Sequence, residues 1–169
     1  MKKITLFIVS YVTWFLLVWP FDPLTGALDG QSLVVGVVVS LVTALLFGEM
    51  FTERPHLFYH PRRYLWALYY VPMFLWEMIR ANIDVMYRVM HPAMPIHPGI
   101  VKVRTRLKSK SGRTALCNSI TLTPGTMSVD ITDDGYIYIH WINVQSQDVE
   151  EATRLIVEKF ERVLERILE

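Results

Sequence analysis

Residues 31–48 read QSLVVGVVVSLVTALLFG, a run without one charged side chain. As a helix it rises roughly 27 Å, near the thickness of a bilayer's hydrocarbon core. It reaches a full span if Glu49 sits at the interface and the helix continues to Phe51. Upstream, Ile4 to Phe21 is equally free of charge, so two short transmembrane helices are expected within residues 1–51. A rival reading takes Lys2, Lys3 and the first apolar run as a cleavable signal peptide, with Thr25 and Ala27 as its small-residue site. Trp14, Trp19 and Pro20 make a bulky ending for such a peptide, and a second apolar run follows at once.

Composition agrees with a membrane chain: 52% of the 169 residues are hydrophobic and mean hydropathy is +0.30. With 17 Lys plus Arg against 16 Asp plus Glu, the net charge of +1 gives no reason to expect a polyanionic partner. The single Cys117 excludes an internal disulfide framework. Charge position says more than the sum. Asp22 to Gly30 holds acids and no Lys or Arg, whereas Lys2, Lys3, Arg54, Arg62 and Arg63 flank the runs, so both ends are expected in the cytoplasm.

Residues 52–91 are expected to form a cytoplasmic loop and an interfacial amphipathic helix. The apolar run from Tyr64 to Trp76 is short for a span and rich in Trp and Tyr. Continued helically, Glu77, Arg80, Asp84 and Arg88 fall on one stripe, opposite Ile79, Ile83, Met86 and Met90. A third crossing stays open as the alternative.

From residue 92 to 169 a small cytoplasmic α+β domain is expected, an antiparallel sheet covered by a C-terminal helix. Pro92, Pro95, Pro98 and Gly99 read as an extended linker. Val101 to Leu107 alternates apolar or small residues with Lys102, Arg104 and Arg106, a strand with a cationic face that Lys108 and Lys110 extend. Arg113 to Leu122 reads as a second strand. Thr123-Pro124-Gly125-Thr126 suits a type II turn, and Met127, Val129 and Ile131 alternate into a hairpin closed by Asp134-Gly135. Tyr136 to Trp141 completes it, with Ile137, Ile139 and Trp141 on one face. Ser146 or Asp148 caps a helix whose Val149, Ala152, Ile156, Phe160, Val163 and Ile167 recur at helical spacing.

Three features are candidates for function. On the second span Ser32, Gly36, Ser40, Ala44 and Gly48 recur every four residues, a small-residue seam for close helix packing, against the chain's own first helix or a neighbouring membrane protein. Lys102, Arg104, Arg106, Lys108, Lys110 and Arg113 could meet anionic headgroups or a partner; their bland role is a solvated strand face that discourages edge pairing. Glu49 reads as an interfacial acid. Nucleic acid is not expected, because the aromatics do not interleave with the cations. Neither a metal at His56 and His60 nor a nucleophile-base pair of Cys117 and His140 has supporting spacing, and no phosphate loop or dinucleotide fingerprint is present. No catalytic residue, cofactor or small-molecule substrate is expected.

Residues 95–101, PIHPGIV, and 118–126, NSITLTPGT, followed by His140-Trp141, resemble the E subunit of the bacterial Mrp-type multisubunit Na+/H+ antiporter. The residues that carry the likeness are Pro98, Gly99, Asn118, Ser119, Thr121, Thr123, Pro124, Gly125 and Thr126. The resemblance implies an accessory plasma-membrane component among other membrane subunits that exchange cytoplasmic Na+ for external H+ on the proton-motive force. It places the ion-moving residues in the large subunits, so none is carried over to this chain. A stand-alone membrane-tethered module that recruits anionic lipid or a soluble partner is the alternative.

Overall fold

The structure is a computed structural model describing residues 2–21, 26–51 and 59–169, the side chain of Phe51 apart. Thr25, Arg54 and His56, which the sequence reading used, lie outside the described residues. The elements are α1 (Lys2–Val18), α2 (Gly30–Phe51), α3 (Pro61–Met90), β1 (Gly99–Arg104), α4 (Lys110–Leu122), β2 (Thr126–Ile131), β3 (Tyr136–Trp141), α5 (Val149–Ile156) and α6 (Glu158–Leu168). They form two compact units, Met1–His60 and Pro61–Glu169.

In the first unit α1 and α2 run antiparallel, with Trp14 beside Gly36 and Lys3 beside Gly48. Among the described residues α2 is the one helix long and apolar enough to cross a membrane; α1 has 17 residues. Asp29 starts α2 by accepting from the Gln31 N–H at 3.0 Å and from the Ser32 hydroxyl. That hydroxyl holds the Asp29 carboxyl below the usual carboxylate range.

The second unit is a three-stranded antiparallel sheet in the order β1-β3-β2 with helices on one face. Cross-strand partners share a face, so register sorts the side chains. Val101 pairs with Ile139 and Val103 with Ile137, and all four are buried against Leu116, Ile120, Ile156 and Phe160. The other face carries Ile100 beside His140, Lys102 beside Tyr138 and Arg104 beside Tyr136. Gly125 at φ 92° and Gly135 at φ 88° occupy the two turns in the conformation that favours glycine.

Two expectations fail here. The segment from Lys110 to Leu122 is helix α4, not a strand, so the sheet loses a strand and gains a second cover. Ser109 caps it by accepting from the Gly112 N–H at 3.1 Å. Ser119 donates to the Ala115 carbonyl at 2.6 Å, so its hydroxyl bonds the helix's own backbone. Burial of Leu116 and Ile120 then outweighs the strand-like composition. In β2 the expected alternation breaks at a bulge between Ser128 and Asp130. Met127 stands beside the outward His140, whereas Ile131 stands beside the inward Ile137.

The C-terminal helix is interrupted at Val157. Asp148 is its cap, accepting from Glu150 and Glu151 N–H at 3.0 and 2.9 Å. Ala152, Ile156, Phe160, Val163 and Leu164 are buried, as their spacing requires. α3 also belongs to this unit. Tyr70, Met73 and Phe74 pack on the core, and Phe74 meets Phe160 with ring centroids 6.2 Å apart.

Candidate functional site

The seam of α2 faces α1. Gly36, Ser40, Ala44 and Gly48 are buried, and the Trp14 indole donates to the Ser32 carbonyl at 3.1 Å. A Cβ on Gly36 would lie 2.5 Å from Trp14 Cδ1, and one on Gly48 would lie 2.5 Å from Lys3 Cγ. The hydroxyl of Ser40 is buried without a hydrogen-bond partner. Of the two occupants the sequence left open, α1 is the one in contact. The outward face of α2 carries Val34, Val38, Leu41 and Leu45, all exposed. Glu49 is exposed in the last turn.

The basic stretch is dispersed because β1 ends at Arg104 and α4 begins at Lys110. Lys102 Nζ sits 3.8 Å above the Tyr136 ring, with Arg104 5.7 Å from the same ring. Arg106 Nε donates to Glu161 at 3.0 Å. Glu161, 2% exposed, accepts also from the Arg106 N–H at 2.7 Å and the Thr105 hydroxyl. The Lys108 backbone donates to Glu169 at 3.0 Å, and Lys110 stands in the first turn of α4. Arg113 is inward-turned, donating to the Leu107, Thr132 and Asp133 carbonyls at 2.9, 3.3 and 3.1 Å. The single cationic face from Lys102 to Arg113 does not form.

The stretch Asn118 to Thr126 ends α4, turns and starts β2. Its hydroxyls satisfy backbone groups there: Thr123 donates to the Ser119 carbonyl at 2.7 Å, Thr126 to the Ile120 carbonyl at 2.8 Å, and Thr121 accepts from the Ser128 N–H at 3.2 Å. Ser119 also meets the Tyr70 hydroxyl, which fixes α3 on α4. Burial raises the Tyr70 phenol above its ordinary pKa. Gly125 follows Pro124, and its carbonyl accepts from the Ile142 N–H at 2.9 Å. Asn118 is exposed. Pro98 precedes β1 and Gly99 opens it, where a Cβ on Gly99 would touch Val144 Cγ2 at 3.0 Å. Most of these residues build the connection from helix to sheet.

Cys117 and His140 are not brought together. α4, which carries Cys117, covers the inner face of the sheet, and His140 stands exposed on the outer face. Burial pushes the Cys117 thiol up. Among the described residues no group of three His, Cys, Asp or Glu side chains gathers as a metal site would need.

A feature the sequence reading missed lies between α3, the Thr123–Thr126 turn and α5/α6, a groove of about 390 Å³. Glu77, on the charged stripe of α3, reaches Lys159 at 2.6 Å. Asp84 does pair with Arg88 at 2.8 Å. Arg88 donates onward to the Pro95 carbonyl at 2.7 Å and to the Asn143 amide oxygen, whose nitrogen faces His97 Nδ1 at 3.1 Å. The charged stripe of α3 was visible as helical spacing. The pairing of Glu77 with Lys159, 82 residues downstream, was not.

A family model described as "Na+/H+ ion antiporter subunit" matches residues 7–167. The E subunit of the Na(+)/H(+) antiporter of Alkalihalophilus pseudofirmus is 45% identical over 60% of this chain and 65% of its own. That of Bacillus subtilis is 32% identical over 88% of this chain and 90% of its own. A chain in the membrane-bound sulfane sulfur reductase, an archaeal respiratory membrane complex, is similar with a TM-score of 0.81 and 44% identity, covering 99% of both chains. With residues 7–167 matched and a relative aligned along most of both lengths, this chain belongs to the family of Na+/H+ antiporter E subunits.

Proposed function

We propose that this subunit is accessory and non-conducting: it holds the antiporter assembly together while neighbouring subunits move Na+ and H+. The observation that carries the reading is the hairpin itself. α2 bears no ionisable side chain from Gly30 to Gly48, and its seam is filled by α1, whose Lys3 lies at the Gly48 end, so the middle of the helix contact carries no charged group. The face left for neighbours is the outward ridge of Val34, Val38, Leu41 and Leu45. The likeness to a chain of a sulfane sulfur reductase complex supports the same view, since one type of chain then serves assemblies of differing chemistry. The α+β domain lies on the cytoplasmic side in this reading, and α3 lies along the membrane surface. The ion pair of Glu77 with Lys159 and the ring contact of Phe74 with Phe160, both on one side of α3, bind it to the domain, which favours that placement over a third crossing.

Val38→Trp with Leu45→Trp is expected to release the protein from its complex and lower antiport in vesicles while the chain still inserts. Unchanged co-purification and activity would count against docking through this ridge. Alone in liposomes the chain is expected to pass no ions, and sodium-coupled proton flux from it would overturn the proposal. The likeness to the reductase chain also motivates a second reading, a respiratory host complex; redox subunits among the co-purifying proteins would decide for it.

A further inference from the structure

We propose that the groove between α3 and α5/α6 binds the headgroup of an anionic phospholipid. The inference rests on the reading of α3 as a helix at the membrane surface and adds what that helix recognises there. Along α3, Tyr69, Trp76, Arg80 and Tyr87 recur at steps of seven, four and seven residues, which places them on one line of the helix. The line borders two different faces. On one side are Glu77, Asp84 and Arg88, turned to the domain; on the other is an apolar stripe through Leu68, Leu75, Ile79, Ile83, Met86 and Met90. Tyr69, Trp76 and Tyr87 are 55%, 65% and 57% exposed, and these ring types prefer headgroup depth.

Charge decides the ligand. The groove is lined by Arg80, Arg88, Arg154 and Lys159 against Glu77 and Asp84. Each acid is already matched, Glu77 by Lys159 and Asp84 by Arg88. The Arg80 side chain makes no hydrogen bond or ion pair among the described residues. Arg154 reaches Glu151 only at 3.9 Å, with both side chains largely exposed. Two guanidinium groups thus face a concave site without a committed acid, the arrangement that suits a phosphate. Arg80 also sits one turn from both Trp76 and Ile83, so a phosphate held there leaves its acyl chains against the apolar stripe. A soluble phosphate compound would have no use for that stripe. The cations of the sheet are less suited, because Lys102 and Arg104 lie over the Tyr136 ring and Arg106 is joined to Glu161.

The test uses the full chain in detergent micelles titrated with brominated phosphatidylglycerol or brominated phosphatidylcholine. The readout is the part of the tryptophan quenching that Trp76→Phe removes. Phosphatidylglycerol is expected to quench at lower mole fraction. Arg80→Ala with Arg154→Ala is expected to raise its half-quenching point roughly thirty-fold and erase the preference. The double Lys variant should keep most of it, and Lys102→Ala with Arg104→Ala should change nothing. Equal quenching by both lipids would sink the headgroup site and leave the surface placement of α3 standing. No quenching of Trp76 by either lipid would instead remove the surface placement itself. A loss of preference confined to the Lys102 and Arg104 variant would move the site to the sheet and overturn the proposal. So would an acidic peptide that protects Trp76 better than phosphatidylglycerol does.

Discussion

Gly36 has no space for a side chain, since its Cβ would meet the Trp14 indole at 2.5 Å. Gly36→Leu is therefore expected to destabilise the hairpin by about 1–3 kcal/mol, the usual range for overpacking a filled interface. Trp14→Ala in the same chain should restore part of the loss, and thermal unfolding of the single and double variants in detergent measures the coupling. Ser40 offers the opposite case. Its buried hydroxyl has no partner, so Ser40→Ala should be neutral or slightly stabilising in the same assay. At Cys117 burial lifts the thiol pKa, so at pH 7 to 8 less thiolate is present than for an exposed thiol. Maleimide labelling of the folded chain should accordingly be several-fold slower than that of the denatured chain and rise with pH into the alkaline range.

At the level of elements, the passage from α4 through the turn into β2 is held by hydroxyl-to-backbone bonds and by Gly125 at φ 92°. Gly125→Ala puts a side chain on a left-handed residue and its Cβ 3.1 Å from Ile142 Cγ2. A cost of about 1–2 kcal/mol is expected, read as a lowered midpoint in denaturant. The turn and β3 were legible in the sequence because Pro124, Gly125, Asp134 and Gly135 act locally and β3 keeps strict alternation between its buried Ile137 and Ile139 and its other face. α4 was not, because Thr114, Ile120 and Thr121 carry strand propensity. What overrides them is contact with Ile137, Ile139 and Phe160, none of them near in sequence. β2 misled for another reason. One bulge shifts its phase, and a period-two pattern cannot show where a residue has been inserted.

Over the whole chain, the legible part of the candidate site was the part written on single helices: the α2 seam and the charged stripe of α3. The groove escaped because it exists only once α3, the Thr123–Thr126 turn and the helices after Asp148 meet, and no spacing rule joins residue 80 to residue 154. Sidedness is a property of the whole chain as well, and it is where charge asymmetry makes its firmest demand. Lys2, Lys3, Arg62 and Arg63 flank the hairpin, and the loop between its helices has acids and no cation, so both flanks should stay in the cytoplasm. Ser146, half-buried in the connection before α5, reports on the same side, provided α3 does not cross. In a Cys117→Ser background, Ser146→Cys should therefore react with a membrane-impermeant maleimide in inverted vesicles and stay unlabelled in intact cells. Gly26→Cys, in the acidic loop, should give the reverse. If Ser146→Cys labelled from outside while Gly26→Cys also did, α3 would have to span the bilayer, and the ion pair of Glu77 with Lys159 could not lie where the structure puts it.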